Sequence, residues 1–371
     1  MESIIILIDN LRIGGFQRVA LDEAFGLSKL GYEIRILVLD SRIHIDSHNF
    51  LIMERERINN FSIKVDFVGQ RLFSQLLDIY KTQKKEKGAH LIVSHSLRAT
   101  VLSKICSILL RADNCLVSTI HQIPTLSAPL QRFKRFLYAQ FSDELLSYSQ
   151  AVKLDWDERI SRSFVFTRIF RKEINLNRNG IFLDRLPREY HSASSRELRL
   201  IYLGRNTNWK GLKTFIDLAE TASLAKSKLL LIIPDFSMED VERLAPNLSH
   251  RVEILESRNL EDYSPSAGDV HVYPVDYGNL AKFIESISLN CLEMACLGIP
   301  SFVTKGGLLS WPEISNFKIF FEADWNDLDS VSMQIKFASE GSILPEQITQ
   351  LREIFGIQNH LETYLKLRKA Y

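Results

Sequence analysis

The chain has 371 residues, with 46 Lys plus Arg set against 45 Asp plus Glu, a formal net charge of +1. Hydrophobic residues make up 46% and charged residues 25%, close to the globular average. That excludes a disordered, collagen-like or disulfide-stapled chain, and it leaves no global basic field to hold nucleic acid. At ~150 residues per domain the length suggests two domains. The four cysteines, Cys106, Cys115, Cys291 and Cys296, form no CxxC pair. A structural zinc site is therefore not expected, and scattered thiols fit a reducing compartment. Apolar runs reach about five to seven residues, against the ~20 needed to span a bilayer. The opening MESIIILIDN carries an acid where a secretory signal has lysines. These features lead us to expect a cytoplasmic protein.

The first predicted element is a strand over Ser3–Ile8, a continuous aliphatic run of the kind buried on both faces of a parallel sheet. Asp9 to Gly15 reads as a loop containing Gly14-Gly15. The spacing then turns helical, with Phe16, Val19 or Ala20, Ala24, Leu27 and Leu30 on one face. Gly31 supplies a left-handed cap, and a second strand follows at Ile34–Leu39. Such a strand–loop–helix–strand unit of ~40 residues is a βαβ crossover. Further strands are predicted at Leu91–Val93, Cys115–Ile120, Leu145–Tyr148 and Phe164–Phe166, with a helix through Ala99, Leu102, Ile105 and Leu109. The polar stretch DRLPREYHSASSR, 184–196, contains the linker.

Beyond the linker the alternation restarts. Strands are predicted at Leu198–Leu203, Leu229–Ile233, Val252–Ile254, Val270–Tyr273 and Ser301–Val303. Helices are predicted at Leu212–Leu224 and Leu289–Leu297, the second capped by Gly298. The tail, Pro345–Tyr371, is expected to be one amphipathic helical segment rich in Lys and Arg. Two doubly wound α/β domains would bind ligand at the carboxyl ends of their strands. The expected division is an N-terminal domain over 1–185, a linker over 186–196, a C-terminal domain over 197–345, and a final helix over 346–371 packing back on the N-terminal domain.

Several constellations carry chemistry. Gly14-Gly15 lies between strand and helix, where a ligand could approach bare backbone and the free N–H groups of a helix start. A tight turn is the plainer alternative, and no GxGxxG fingerprint is present. Gly204-Arg205 and Lys210-Gly211 put two cations five residues apart between a strand and a helix. An Arg fork and a compact Lys charge suit adjacent phosphates, although solvated surface cations would look the same. Glu285 and Glu293 lie eight residues apart, ~12 Å along a helix, too far for a shared acid/base dyad. They could grip two ends of an extended ligand such as the two sugars of a nucleotide sugar, since carboxylates accept from vicinal hydroxyls. His95 and His121 each follow a strand, where a cleft residue would sit. No DxD pair, GxSxG elbow, HExxH or Walker loop occurs. In QRFKRFLYAQF, 131–141, Arg132, Lys134 and Arg135 interleave with aromatic residues, as in a helix lying on a membrane or in one covering the sheet.

Taken in order, these segments resemble the retaining GT-B glycosyltransferases of glycosyltransferase family four, of the bacterial glycan and lipopolysaccharide type. The resemblance rests on GGFQRVALDEAFGLSKLGYEIRILVL, HSLRATVLSK, STIHQ, NRNGIF, GRNTNWKGLKTFIDLAE and ESISLNCLEMACLGIPSFVTKGG. The last is the most specific in its Glu-x7-Glu spacing, Gly-Ile-Pro strand entry and trailing GG. One departure stands out: Ser286-Ile287-Ser288 occupies the place where the family has Gly-Phe-Gly.

The resemblance implies two Rossmann-like domains facing a central cleft. It implies transfer of a hexosyl or related sugar from a nucleotide diphosphate sugar to a glycan or lipid-linked glycan, in cell-surface polysaccharide synthesis. Arg205 and Lys210 would hold the diphosphate, Glu293 the ribose and Glu285 the donor sugar. Gly14, Gly15, Ser288 and Leu289 would also lie at the donor. His121 would sit near the transferred sugar, with Arg18 and His95 on the acceptor side. Neither a cofactor nor a metal is implied, and contact with the inner face of the membrane is plausible. A binding-only GT-B subunit and a nucleotide-sugar epimerase remain the alternatives.

Overall fold

The structure is a computed structural model. It describes residues 2–11, 14–40, 54–86, 91–121, 128–161, 172–187, 197–207, 210–234, 236–255, 260–275, 288–305, 314, 317–341, 343 and 345–369. The chain forms two compact units, Met1–Phe182 with Gly356–Tyr371, and Leu183–Phe355. The first boundary falls at Phe182, three residues before the sequence-based one at 185. The carboxyl-terminal segment divides between the units.

The first unit is built on β1 (Ser3–Ile8), β2 (Glu33–Val38), β3 (Lys64–Phe67), β4 (Leu91–Ser94), β5 (Cys115–Ile120), β6 (Glu144–Ser147) and β7 (Ile174–Leu176). The sheet order is β3-β2-β1-β4-β5-β6-β7, and every described pairing is parallel. All six residues of β1 are buried, because helices cover both faces and each side chain must be apolar. The helices are α1 (Gly15–Lys29), α2 (54–60), α3 (Leu72–Lys85), α4 (Leu97–Leu110), α5 (Ala128–Phe141) and α6 (Gln150–Ser161). Gly31 closes α1 at φ +92°. Leu30, placed on the apolar face by its spacing, is 48% exposed at the helix end. The strand expected at Phe164–Phe166 lies outside the described residues.

The second unit repeats the plan with β8 (Arg199–Leu203), β9 (Lys228–Ile232), β10 (Val252–Ile254), β11 (Asp269–Tyr273), β12 (Ser301–Thr304) and β13 (Phe320–Ala323). Their order is β10-β9-β8-β11-β12-β13, again parallel. Its helices are α7 (Leu212–Ala219), α8 (Met238–Leu244), α9 (Leu289–Cys296), α10 (Leu328–Glu340) and α11 (Pro345–Phe355). The helix predicted to run to Leu224 ends at Ala219 and yields to a 3-10 turn at Ala222–Leu224.

The tail is two helices instead of one. Gly356 breaks it by pairing with Ile181, and Ile357 N donates to the Ile181 carbonyl at 2.9 Å. The last helix, α12 (Ile357–Lys369), packs on the first unit through Ile357, Leu361 and Tyr364. Two glycines admit it. A Cβ on Gly26 would lie 2.7 Å from Leu361, and one on Gly180 would lie 2.5 Å from His360.

Each sheet has a switch point where the chain returns to the middle, between β1 and β4 in the first unit and between β8 and β11 in the second. Loops splay apart at such a point and leave a crevice at the carboxyl ends of the strands.

Candidate functional site

In the first unit the crevice holds Asp9 after β1 and His95-Ser96 after β4. Ser96 Oγ donates to Asp9 Oδ1 at 2.7 Å and accepts from Ala99 N at 3.1 Å, capping α4. His121 follows β5. A cavity of about 650 Å³ opens there, with Asp9, His95, His121, Lys134, Tyr138 and Trp156 among its lining residues.

Behind the cavity wall lies a polar cluster that sequence spacing does not reveal. Glu23, on α1, is 0% exposed. Its Oε1 accepts from Tyr148 Oη at 2.7 Å, His360 Nε2 at 2.8 Å and Tyr364 Oη at 3.0 Å. Its Oε2 accepts from His95 Nε2 at 3.0 Å. Burial pushes this carboxyl up, but its interactions with His95 and His360, both hydrogen-bonded to it, outweigh that. The net shift holds Glu23 well below the ordinary carboxylate range. His95 Nδ1 continues the chain of contacts to His121 Nε2 at 3.0 Å, with Thr119 Oγ1 beside both. His121 packs edge-on to Tyr148 and near Phe16. Burial pushes its imidazole down to about 3, so the ring is neutral.

The other candidates of this unit are placed as follows. Gly14 is extended and caps α1 without a side-chain bond, and a Cβ on Gly15 would meet nothing within 4 Å. The loop thus presents open backbone at a helix start. Arg18 donates to Glu54 at 2.5 Å, and Glu54 also accepts from Arg57 at 2.8 Å. This pairing holds α2 against α1. On α5, Arg135 is 8% exposed and ion-paired to Asp155 of α6. Lys134 is half-buried and lines the cavity. The side chain of Arg132 lies outside the described residues. The two described cations therefore face inward, while Leu130 and Phe133 are exposed.

In the second unit β8 ends at Gly204-Arg205, and Arg205 is exposed. Lys210 Nζ donates to Tyr273 Oη at the end of β11 and lies 5.0 Å from that ring's centre. The contact ties the segment after β8 to the end of β11. Gly211 has φ +76°, and a Cβ there would lie 1.9 Å from the Pro274 carbonyl oxygen. Glycine is required on both counts, by a left-handed backbone and by close approach.

Ser288 caps α9 by backbone alone, and Leu289 opens the helix. Asn290 Nδ2 donates to the Leu203 carbonyl at 2.7 Å. That bond draws the start of α9 to the end of β8, so the two motifs meet at the carboxyl end of one sheet. Glu293 is 5% exposed and forms an ion pair with Arg185 through Oε1. Arg185 was not singled out by its sequence, since a lone Arg in a polar stretch carries no spacing signal. Glu285 lies outside the described residues.

Among the described residues, no helix is long and apolar enough to cross a membrane. No protein-family model and no curated protein matches the chain. Solved structures do. Alr3699/HepE of Anabaena, crystallised with UDP and glucose, is 15% identical, with all of both chains covered and a TM-score of 0.69. A glycosyltransferase from Rickettsia africae is 14% identical, with all of this chain and 98% of that one covered and a TM-score of 0.70. An alpha-glucosyltransferase (AGT) crystallised with UDP is 12% identical, with full coverage of both and a TM-score of 0.65. Two doubly wound parallel units joined in this order are the GT-B fold that these glycosyltransferases share.

Proposed function

We propose that the protein is a retaining glycosyltransferase that moves a sugar from a nucleoside diphosphate sugar to a hydroxyl of a glycan or lipid-linked glycan. The observation that carries this reading is the convergence in the second unit. Arg205 and Lys210 leave the end of β8, and Asn290 ties the start of α9 to that same strand end. Arg205 and Lys210 supply fixed positive charge for the departing diphosphate, so the site stabilises charge as it develops without reorganising. Glu293 takes the ribose and Glu285 the transferred sugar. The backbone at Ser288 and Leu289 is assigned to the donor.

The cavity of the first unit is the acceptor's place, with His121 on its wall. Aromatic side chains such as Trp156 and Tyr138 give sugar rings apolar faces to stack on, and Asp9 accepts from hydroxyls. No resident metal is part of this scheme, because the two cations do the work of charge neutralisation. HepE and AGT were solved with UDP, which makes uridine nucleotides the first to try. Any membrane contact would use the exposed Leu130 and Phe133 of α5, with the lipid-linked acceptor drawn from the bilayer.

A thermal-shift screen against UDP-, GDP- and ADP-sugars tests the reading. A ligand at ~100 times its Kd adds about 2.7 kcal/mol to the folded state. One nucleotide series should raise the melting temperature, and the same donor should release nucleoside diphosphate when acceptor is supplied. No shift with any nucleotide would overturn the proposal.

A further inference from the structure

The Glu23 cluster has a geometry that decides where protons sit, and it reaches the cavity through His121. His360 supplies the first step. Its Nε2 faces the Glu23 carboxylate and its Nδ1 faces the Arg178 carbonyl oxygen. Both are acceptors, so both ring nitrogens carry protons, and the imidazolium cancels the carboxylate charge.

His95 comes next. It is 5% exposed, and a second imidazolium there would be a buried charge with no counter-ion left among the described residues. It is therefore neutral, with its proton on Nε2 where the carboxylate accepts it, and its Nδ1 carries a lone pair. Thr119 Oγ1 lies 3.1 Å from that lone pair but is directed elsewhere. Its single hydroxyl proton goes to the Ser94 carbonyl at 3.1 Å, an atom that can only accept. Among the described residues the remaining polar atom within reach is His121 Nε2 at 3.0 Å, and with His95 Nδ1 unprotonated the contact is a hydrogen bond only if the proton is on His121.

We propose that Glu23 is a positioning residue that, through His95, locks His121 as the Nε2–H tautomer with Nδ1 as an acceptor for a substrate hydroxyl. His121 is partly exposed where it lines the cavity, and Nδ1 is its remaining polar atom. A sugar hydroxyl can donate to it, whereas a ligand carbonyl or phosphoryl oxygen cannot use it. The two tyrosines serve the same end. Burial raises Tyr148 and Tyr364 well above the usual phenol range, so they remain donors that hold the carboxylate in place. The inference rests on the proposed function only in taking the hydroxyl to be a sugar's.

The experiment is long-range nitrogen–proton NMR on histidine-labelled full-length protein near neutral pH, with resonances assigned by His95→Phe and His121→Gln. The expected result is an unprotonated His95 Nδ1, a protonated His121 Nε2, and a through-hydrogen-bond coupling between these two nitrogens. A proton on His95 Nδ1, or on His121 Nδ1, overturns the proposal in the wild-type protein alone. Glu23→Gln should remove the coupling and leave His121 as a mixture of tautomers. If that variant does not fold, His95→Phe breaks the relay at its middle and should give the same mixture. Tyr364→Phe removes one donor to Glu23 without touching His95 and should keep the single tautomer. Loss of the lock in Glu23→Gln should also lower turnover ~10-fold or more, as when a ring loses the partner that orients it. Unchanged turnover with the lock gone would overturn the sugar contact assigned to His121, whereas a thermal-shift failure would overturn the donor reading instead.

Discussion

His360 of α12 places its Nε2 2.8 Å from Oε1 of Glu23 on α1, 337 positions apart in the chain. Both side chains are almost entirely removed from water. The contact makes the last helix part of the first unit's core, beside the apolar packing of Leu361 and Tyr364. It also explains the NRNGIF turn, since Asn177 Nδ2 donates to the His360 carbonyl at 3.2 Å and Gly180 leaves room for the His360 side chain.

Breaking this pair should cost stability in a pH-dependent way. His360→Leu leaves a buried carboxylate short of its counter-ion, a loss of about 3–5 kcal/mol for a buried pair, to be measured by urea unfolding at neutral pH. The acid limb follows from the signs. Glu23 is lowered from 4.5 in the fold, so its contribution is complete above that pH and is lost as pH falls below it. His121 is lowered from 6.5 to about 3. The unfolded chain therefore binds this proton first, and stability drops as pH falls from 6.5 towards 3. His121→Gln should flatten the limb between those values while leaving the lower part in place. An acid limb identical in the two proteins would contradict the lowered pKa of His121.

The sequence made the two sheets legible, because β1, β5 and β8 are continuous apolar runs between glycine-bearing loops. It hid β3, an edge strand whose residues Lys64 and Asp66 pair with Glu33 and Arg35 of β2. Edge strands need not be apolar, and their charge masks the pattern. It hid β13 and α10 behind similarly short or mixed runs. The Glu23 cluster was obscured for another reason. The helical stripe through Phe16, Ala20 and Leu27 passes over Glu23 itself, and an acid on an apolar stripe is the one visible signal. Its partners come from four other elements, so no spacing could assemble them. Arg205, Lys210 and the start of α9 were legible because one strand end and one helix start define them locally.

Gly211→Ala tests the loop that carries Lys210. The left-handed backbone alone costs ~1–2 kcal/mol for a residue with a Cβ, and the Pro274 carbonyl occupies the space the methyl would take. The second unit should remain folded with a lower melting temperature, and affinity for nucleoside diphosphate should fall because Lys210 is displaced. Wild-type affinity with an unchanged melting temperature would show that the loop does not depend on this approach.

Lys210→Ala probes the charge itself. The side chain reaches Tyr273 without entering the apolar core, so the fold should be retained by circular dichroism. Transfer should drop by orders of magnitude, since a cation aimed at the leaving group is worth most in the transition state. Tyr273→Phe removes only the hydroxyl that orients Lys210 and should give a smaller loss. Added EDTA should have little effect on the wild-type protein. Strict dependence on Mg²⁺ or Mn²⁺ would show that the two cations do not suffice.

Glu293 and Glu285 should prove separable, and Arg185 sharpens the test. Glu293 sits within α9, nearly buried, with Oε1 engaged by Arg185. A carboxylate accepts at both oxygens, so Oε2 can serve ribose hydroxyls while Arg185 fixes the side chain. Glu293→Gln should weaken nucleoside diphosphate binding itself, since a hydrogen bond to a charged group is worth about 1.5–3 kcal/mol. Arg185→Met should do the same without touching the ligand, and it should lower stability as well because it strands the carboxylate. Glu285 is assigned to the transferred sugar, where positive charge develops as the diphosphate leaves. Glu285→Gln should lower kcat more than it weakens binding of the bare nucleoside diphosphate, the mark of an interaction made chiefly in the transition state. Titration calorimetry with the nucleoside diphosphate, set beside turnover for all three variants, separates these outcomes. Equal losses of nucleotide affinity in Glu285→Gln and Glu293→Gln, or wild-type turnover in Glu285→Gln, would show that sugar and ribose are not divided between the two carboxylates.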